Sequence, residues 1–271
     1  MLDAVVIGSG PNGLAAAIRL AQTGKSVTVL EAEDTIGGGT RSAELTLPGY
    51  VHDVCSAVHP LAVSSQFFRT LPLDRYGLEF VHPQIPVAHP LDDTTAELTR
   101  SLDETAKGLG ADGAAYARLM RPLVRNLDYL MSQFFAPLRP SPSWAARAVL
   151  LTRFGLTSIR SVVGLARRFK QAPARGLLAG LGGHSIQPLT NLSTGGYAAL
   201  IGASGHGYGW PIVRGGSQKI ADAMVAHLRS LGGHVVTGQR VGAMSDLPKA
   251  RAYLFDVTPR QLVAIAGDSL P

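Results

Sequence analysis

Six residues near the start of the chain, Gly8-Ser9-Gly10-Pro11-Asn12-Gly13, restrict it more than any other feature. They separate an apolar run over 2–7, which reads as a buried strand, from a stretch over 13–23 that carries Leu14, Ala17, Ile18 and Ala21 on one helical face. Residues 26–31 read as a second buried strand. A strand, a helix and a strand with short connections form a βαβ unit, which implies parallel strands and a right-handed crossover. In this setting Gly8 permits a tight turn, Gly10 lets the backbone approach a pyrophosphate, and Gly13 lets the helix pack closely on the strand. The helix N-terminus offers free N–H groups and partial positive charge to phosphates. Pro11 and Asn12 complete the turn and are grouped with the glycines as cofactor-binding residues. Glu31 ends the second strand, where a carboxylate accepts hydrogen bonds from ribose hydroxyls. The competing reading, a glycine turn without a ligand, is disfavoured because strand, glycines, helix, strand and acid all agree.

Nicotinamide and flavin dinucleotides share this fingerprint. The sequence continues Ile36-Gly37-Gly38-Gly39-Thr40-Arg41. A glycine pair (Gly38, Gly39) soon after the ribose acid lets the chain turn back over the pyrophosphate, and Arg41 can neutralise it. This looks like the second FAD motif of the glutathione-reductase-type flavoproteins and points to FAD. An NAD(P)-dependent Rossmann dehydrogenase is the weaker alternative, and an exposed loop charge is the plain reading of Arg41.

Several segments together resemble the phytoene desaturase-like branch of FAD-dependent oxidoreductases, relatives of the amine oxidases. Besides the motifs above they are His52-Asp-Val-Cys-Ser-Ala-Val-His-Pro60 and Gly209-Trp-Pro-Ile-Val-Arg-Gly-Gly216. The resemblance implies an α/β fold: a Rossmann-like FAD-binding domain over 1–70 and 205–271, with an inserted α+β substrate domain over 71–204. It implies dehydrogenation or isomerisation of a hydrophobic, isoprenoid- or lipid-like substrate by hydride transfer to the flavin. It places Val241 beside the adenine through its backbone, and Gly215 and Gly216 towards the flavin side. Members of the branch are close to twice this length, and their FAD domain is completed by a C-terminal segment that meets the flavin ring. The expectation is therefore an incomplete FAD domain, with the alternative that the chain is a non-catalytic fragment or a subunit needing a partner.

Composition adds exclusions. Charged residues make up 16% and apolar residues 46% of the 271, which rules out a mainly disordered chain. Lys and Arg number 25 against 19 Asp and Glu, but the excess is local: between Tyr129 and Ala221 there are ten basic residues and no acid. The basic pI is thus no general signature of nucleic-acid binding, and none is expected. Across 143–175, Arg residues alternate with Trp144, Val149, Phe154, Ile159 and Phe169. One reading is a patch lying on an anionic membrane; the favoured one is a helical cap with a solvated basic face. Cys55 is the only cysteine, which suits a reducing compartment. With no signal-like N-terminus and no long apolar run, a cytoplasmic protein, at most peripheral to a membrane, is expected.

Elsewhere the spacing predicts a small antiparallel sheet over 78–98 and a capping box at Ser101–Glu104. Asp112 is read as the cap of a long helix, and 143–170 as two helices broken near Gly155. The glycine-rich stretch Gly176–Val213 reads as buried loop and short elements. Further expectations are a helix over 218–231, strands over 234–241 and 252–257, and a helix capped by Thr258. His52, Cys55 and His59 lack a fourth neighbour for a metal, and no metal is expected. His184 and His206 are weak candidates for a catalytic base, and no catalytic residue is assigned.

Overall fold

The computed structural model describes residues 1–135 and 142–270. The chain opens with strand β1 (Leu2–Ile7), helix α1 (Pro11–Ala21), β2 (Val27–Leu30), β3 (Ser42–Glu44) and β4 (Val51–Asp53). A short helix α2 (Pro60–Ser64) precedes β5 (Phe80–Val81), β6 (Val87–Pro90) and β7 (Thr95–Leu98). Helices follow: α3 (Leu102–Gly108), α4 (Gly113–Arg125), α5 (Leu127–Phe134), α6 (Pro142–Ala146), α7 (Ala148–Ser158), α8 (Val162–Ala166), α9 (Ala172–Gly183) and α10 (Thr194–Gly207). The last elements are β8 (Ile212–Val213), α11 (Gln218–Ser230), β9 (His234–Val236), β10 (Ala250–Phe255) and α12 (Pro259–Ala266). None of the described helices is long and apolar enough to cross a membrane.

The chain divides into two compact units. The first comprises Met1–Val58, Thr70–Val81 and Ile212–Pro271, and the second His59–Arg69 and His82–Pro211. The expected boundaries were 1–70 with 205–271, and 71–204. Residues 70–81 belong to the first unit because β5 pairs antiparallel with β8 and the turn Leu73–Tyr76 packs on α11. Residues 205–211 belong to the second because they finish α10 and continue into its core through Trp210.

The first unit is a four-stranded parallel sheet in the order β10-β1-β2-β9. Val5, Val6 and Val29 are fully enclosed, and α1 turns Leu14, Ala17 and Ile18 inward, so the 3.6-residue period of the sequence is the buried face. This is a mixed α/β architecture with a Rossmann-like core. The strand expected over 234–241 ends at Val236; residues 238–239 instead hydrogen-bond to the backbone carbonyls of Glu31 and Glu33.

Helix α11 is held at its start by β3 and β4. The Asp53 carboxylate accepts from Ser217 N at 2.7 Å and from the Ser42 hydroxyl at 2.7 Å, while Ser42 Oγ accepts from Gln218 N at 3.0 Å. Gly216, at φ +95°, lies so close that a Cβ would stand 2.7 Å from Ser42 Oγ. In this structure that glycine is required by packing against Ser42.

The second unit is mostly helical around one core containing Tyr116, Met120, Leu165, Leu177, Leu181 and Ala199. Three expectations are corrected here. The stretch 176–213 is largely helix. Twelve of the fourteen residues of α10 are buried, and such a helix is apolar on every side, so it lacks the amphipathic signal. Its glycines admit neighbours: a Cβ on Gly196 would lie 2.5 Å from Ser158 Cα, and one on Gly202 would press on Leu181 and Met120. Gly155 lies inside α7, and the break falls at 159–161. Asp112 makes no cap bond to α4. Its carboxylate accepts from Lys170 N at 2.8 Å and Gln171 N at 2.7 Å, so it fastens the start of α9.

The expected sheet over 78–98 is also divided: β6 and β7 form a separate hairpin. Ser101 accepts from Glu104 N as expected, whereas the Glu104 carboxylate takes the Thr99 hydroxyl in place of the reciprocal bond.

Candidate dinucleotide site

The carboxyl ends of β1, β2 and β10, with the chain that follows β9, surround a cleft of about 690 Å³ in the first unit. Ligands of open parallel sheets bind at this edge. Of the residues expected to hold a cofactor, Gly8, Gly10, Pro11, Asn12, Glu31, Gly38, Gly39 and Val241 line the cleft. Gly13 lies one step further into α1. Arg41 is not among the lining residues; its Nε donates to the Gly38 carbonyl at 3.0 Å, bracing the second glycine turn from outside. The Val241 side chain packs with Val5, Ile7, Leu30 and Leu247 in the core.

Glu31 is buried at the floor. The Ser9 hydroxyl and the Ser9 N–H, at 2.9 Å, donate to its Oε2, and Glu33 N donates to Oε1 at 3.0 Å. Burial pushes its pKa up, but these hydrogen bonds to the charged form outweigh burial and hold it below its ordinary value. The result is a fixed acceptor for hydroxyl donors, with lone pairs left on Oε1. Ser9 also ties the two glycine turns together, because Gly37 N donates to its carbonyl and hydroxyl, both at 3.1 Å. Gly38 comes so near the first turn that a Cβ would lie 3.3 Å from Gly10 Cα. At the cleft's far side Arg240 pairs with Glu33 at 3.1 Å, both side chains being largely exposed.

Asp256, directly after β10, is a site residue that the sequence did not single out. Its Oδ2 accepts from Gly13 N at 2.8 Å, which places a carboxylate at the N-terminus of α1. All three motif glycines are shaped by it. A Cβ on Gly8 would lie 2.4 Å from the Asp256 carbonyl oxygen, on Gly10 2.7 Å from Oδ2, and on Gly13 2.8 Å from the same atom. The sequence signal was present as an acid ending a strand, but it stands 243 residues from Gly13.

The remaining candidates separate. His52 bonds to the Thr46 hydroxyl at 2.7 Å, Cys55 is exposed, and His59 belongs to the second unit. Among the described residues no group of three His, Cys, Asp or Glu is placed to hold a metal. His206 is buried between the Tyr116 hydroxyl at 2.9 Å and the Thr99 carbonyl at 2.8 Å. A carbonyl only accepts, so Nδ1 carries the proton and neutral Nε2 accepts from the phenol. Burial pushes the His206 pKa down to about 4. That is a satisfied core histidine. His184 lies against the Trp210 ring, with centroids 5.0 Å apart.

Comparison with known proteins agrees with this geometry. Residues 6–71 match the family of NAD(P)-binding Rossmann-like domains. Over 123 residues the chain is 34% identical to hydroxyneurosporene desaturase of Cereibacter sphaeroides, covering 43% of this chain and 24% of that protein. It is 26% identical to the mouse (Mus musculus) pyridine nucleotide-disulfide oxidoreductase domain-containing protein 2, over 92% of this chain and 49% of the relative. The solved structure of a putrescine oxidase variant superposes with a TM-score of 0.59 at 21% identity, covering all of this chain and 61% of the oxidase. The class is thus a Rossmann-like dinucleotide-binding fold. Within it the chain is similar in sequence to a desaturase and in fold to a putrescine oxidase, and it spans at most about half the length of the two curated relatives.

Proposed function

We propose that the cleft binds FAD and that the chain forms part of an oxidoreductase acting on a hydrophobic, isoprenoid- or lipid-like substrate. The observation that carries the reading is the pair of glycine turns locked together through Ser9 above a buried, charged Glu31. Glu31 accepts from the adenosine ribose, the first turn passes the pyrophosphate, and the Gly38–Gly39 turn closes over it. Val241 borders the adenine through its main chain. Asp256 takes the Gly13 N–H, so phosphate oxygens rely on the donors of Gly10 and Asn12. Bound flavin would supply the hydride acceptor, and the protein's part is to bind and orient it. The desaturase relative supports the substrate class.

The test is direct. The purified chain, loaded with FAD and freed of excess by gel filtration, should retain the visible absorption of oxidised flavin. A colourless protein after loading would contradict FAD binding. Retention of NADH in its place would favour the nicotinamide reading, which the Rossmann-like family match also accommodates.

A further inference from the structure

In the second unit a pocket of about 370 Å³ lies between α4 and α7, the latter part of the basic segment, and it is remote in sequence from every residue of the dinucleotide cleft. Its floor is apolar, with Leu119, Leu123 and Phe154 packed on the core. Four arginines are among its lining residues, all of them exposed: Arg118, Arg153, Arg160 and Arg168. Among the described residues no carboxylate lines the pocket. Among the described residues, none of the four side chains makes an ion pair or hydrogen bond, although Arg69 and Arg121 in the same unit both hold carboxylates. Arg118 and Arg153 also line the adjoining groove, which Arg121 and Arg125 extend.

Four arginines around one apolar pocket would be matched by an anion that brings its own apolar chain. The planar guanidinium fork suits a carboxylate or phosphate. The volume is at the lower end of the range of about 300–1,000 Å³ for small-molecule sites, enough for one chain of moderate length. Helix α4 supplies the geometry, since Ala115, Arg118, Leu119 and Pro122 follow the i, i+3, i+4, i+7 pattern of a single face.

We propose that this pocket binds a single-chain amphiphile with an acidic head, a fatty-acid carboxylate or a prenyl phosphate. The head lies between Arg118 and Arg153, and the chain lies over Leu119 and Phe154. The site stands whether or not the neighbouring unit binds FAD.

The test titrates the full chain with dodecanoate and with farnesyl phosphate below their micelle concentrations, against dodecanol and inorganic phosphate. Saturable binding of at least one anionic amphiphile is expected, and the two arms report which head is preferred. Dodecanol and inorganic phosphate should bind at least about tenfold more weakly, as loss of charged hydrogen bonds or of apolar burial requires. Arg118→Gln with Arg153→Gln should weaken the anionic ligand by at least about tenfold, with thermal midpoint and circular dichroism unchanged. The single charge reversal Arg153→Glu should act in the same direction. Equal binding of dodecanoate and dodecanol, or unaltered affinity in the folded double variant, would overturn the proposal. So would binding to phosphatidylglycerol vesicles with none to the monomeric amphiphiles, which would make this face a membrane-docking surface.

Discussion

The backbone N–H of Gly13 donates to the carboxylate of Asp256 across 2.8 Å, joining the first turn of α1 to the end of β10. The bond acts as an N-cap supplied from a distant strand. It satisfies one of the orphan donors of the helix and places negative charge at the positive end of its dipole. Asp256→Ala should cost about 1–2 kcal/mol of stability, in the range of a lost cap. Asp256→Asn, whose amide oxygen still accepts, should cost less. Urea unfolding of the three proteins decides this, and equal stability would remove the capping role.

The motif glycines should differ in a defined order. A Cβ on Gly8 meets the backbone oxygen of Asp256 at 2.4 Å, and its φ of +102° disfavours any side chain. A Cβ on Gly10 meets only the Asp256 carboxylate, which can rotate away. Gly8→Ala should therefore be the more damaging, by more than the about 1–3 kcal/mol of ordinary overpacking. Gly10→Ala combined with Asp256→Ala should cost less than the sum of the two single changes. Thermal or urea denaturation of the four variants reads both effects.

Glu31 should govern both ligand affinity and acid stability. Its folded pKa is lowered, so its contribution is complete above the unfolded value near 4.5 and is lost as pH falls through the lower folded value. Glu31→Gln should flatten that part of the pH–stability curve. It should also weaken FAD by about tenfold, the scale of a charged hydrogen bond to a ribose hydroxyl. Fluorescence titration with FAD at neutral pH measures the second effect.

His206 titrates in the opposite sense from a histidine that gains an anionic partner. Its folded pKa of about 4 lies below the ordinary 6.5, so the unfolded chain binds the extra proton between those values. Stability should fall as pH drops from about 6.5 to about 4, by about 3 kcal/mol from this group alone. His206→Phe should lose that pH dependence while leaving Tyr116 without its acceptor. Unfolding curves at pH 7 and pH 4.5 test the difference.

Much of the dinucleotide half was legible because its signals are local. Strand, glycine turn, helix and acid follow one another within Leu2–Glu31, and each obeys its own short period. Asp256 was not legible, since its importance arises only when β10 pairs beside β1 and brings Gly13 within reach. Helix α10 was hidden for a different reason. Gly195, Gly196, Gly202 and Gly205 look like breakers in one dimension, but in three they are the spaces into which the Arg160 carbonyl, Ser158, Met120 and Leu98 fit. Asp112 shows the same limit: a cap residue can be recognised by type, while the helix end it serves depends on the tertiary fold. Arg41 follows the second glycine turn in the sequence, but its Nε donates to the Gly38 carbonyl and it is not among the residues lining the cleft.

The central claim is that Glu31 and the paired glycine turns hold FAD. A ligand bound only by the folded chain raises its melting temperature. The decisive measurement is the melting temperature of the chain with saturating FAD, with saturating NADH and with neither, for the native sequence and for Glu31→Gln. FAD should raise it most, and Glu31→Gln should reduce that rise. No rise with FAD, or a larger one with NADH, would contradict the account.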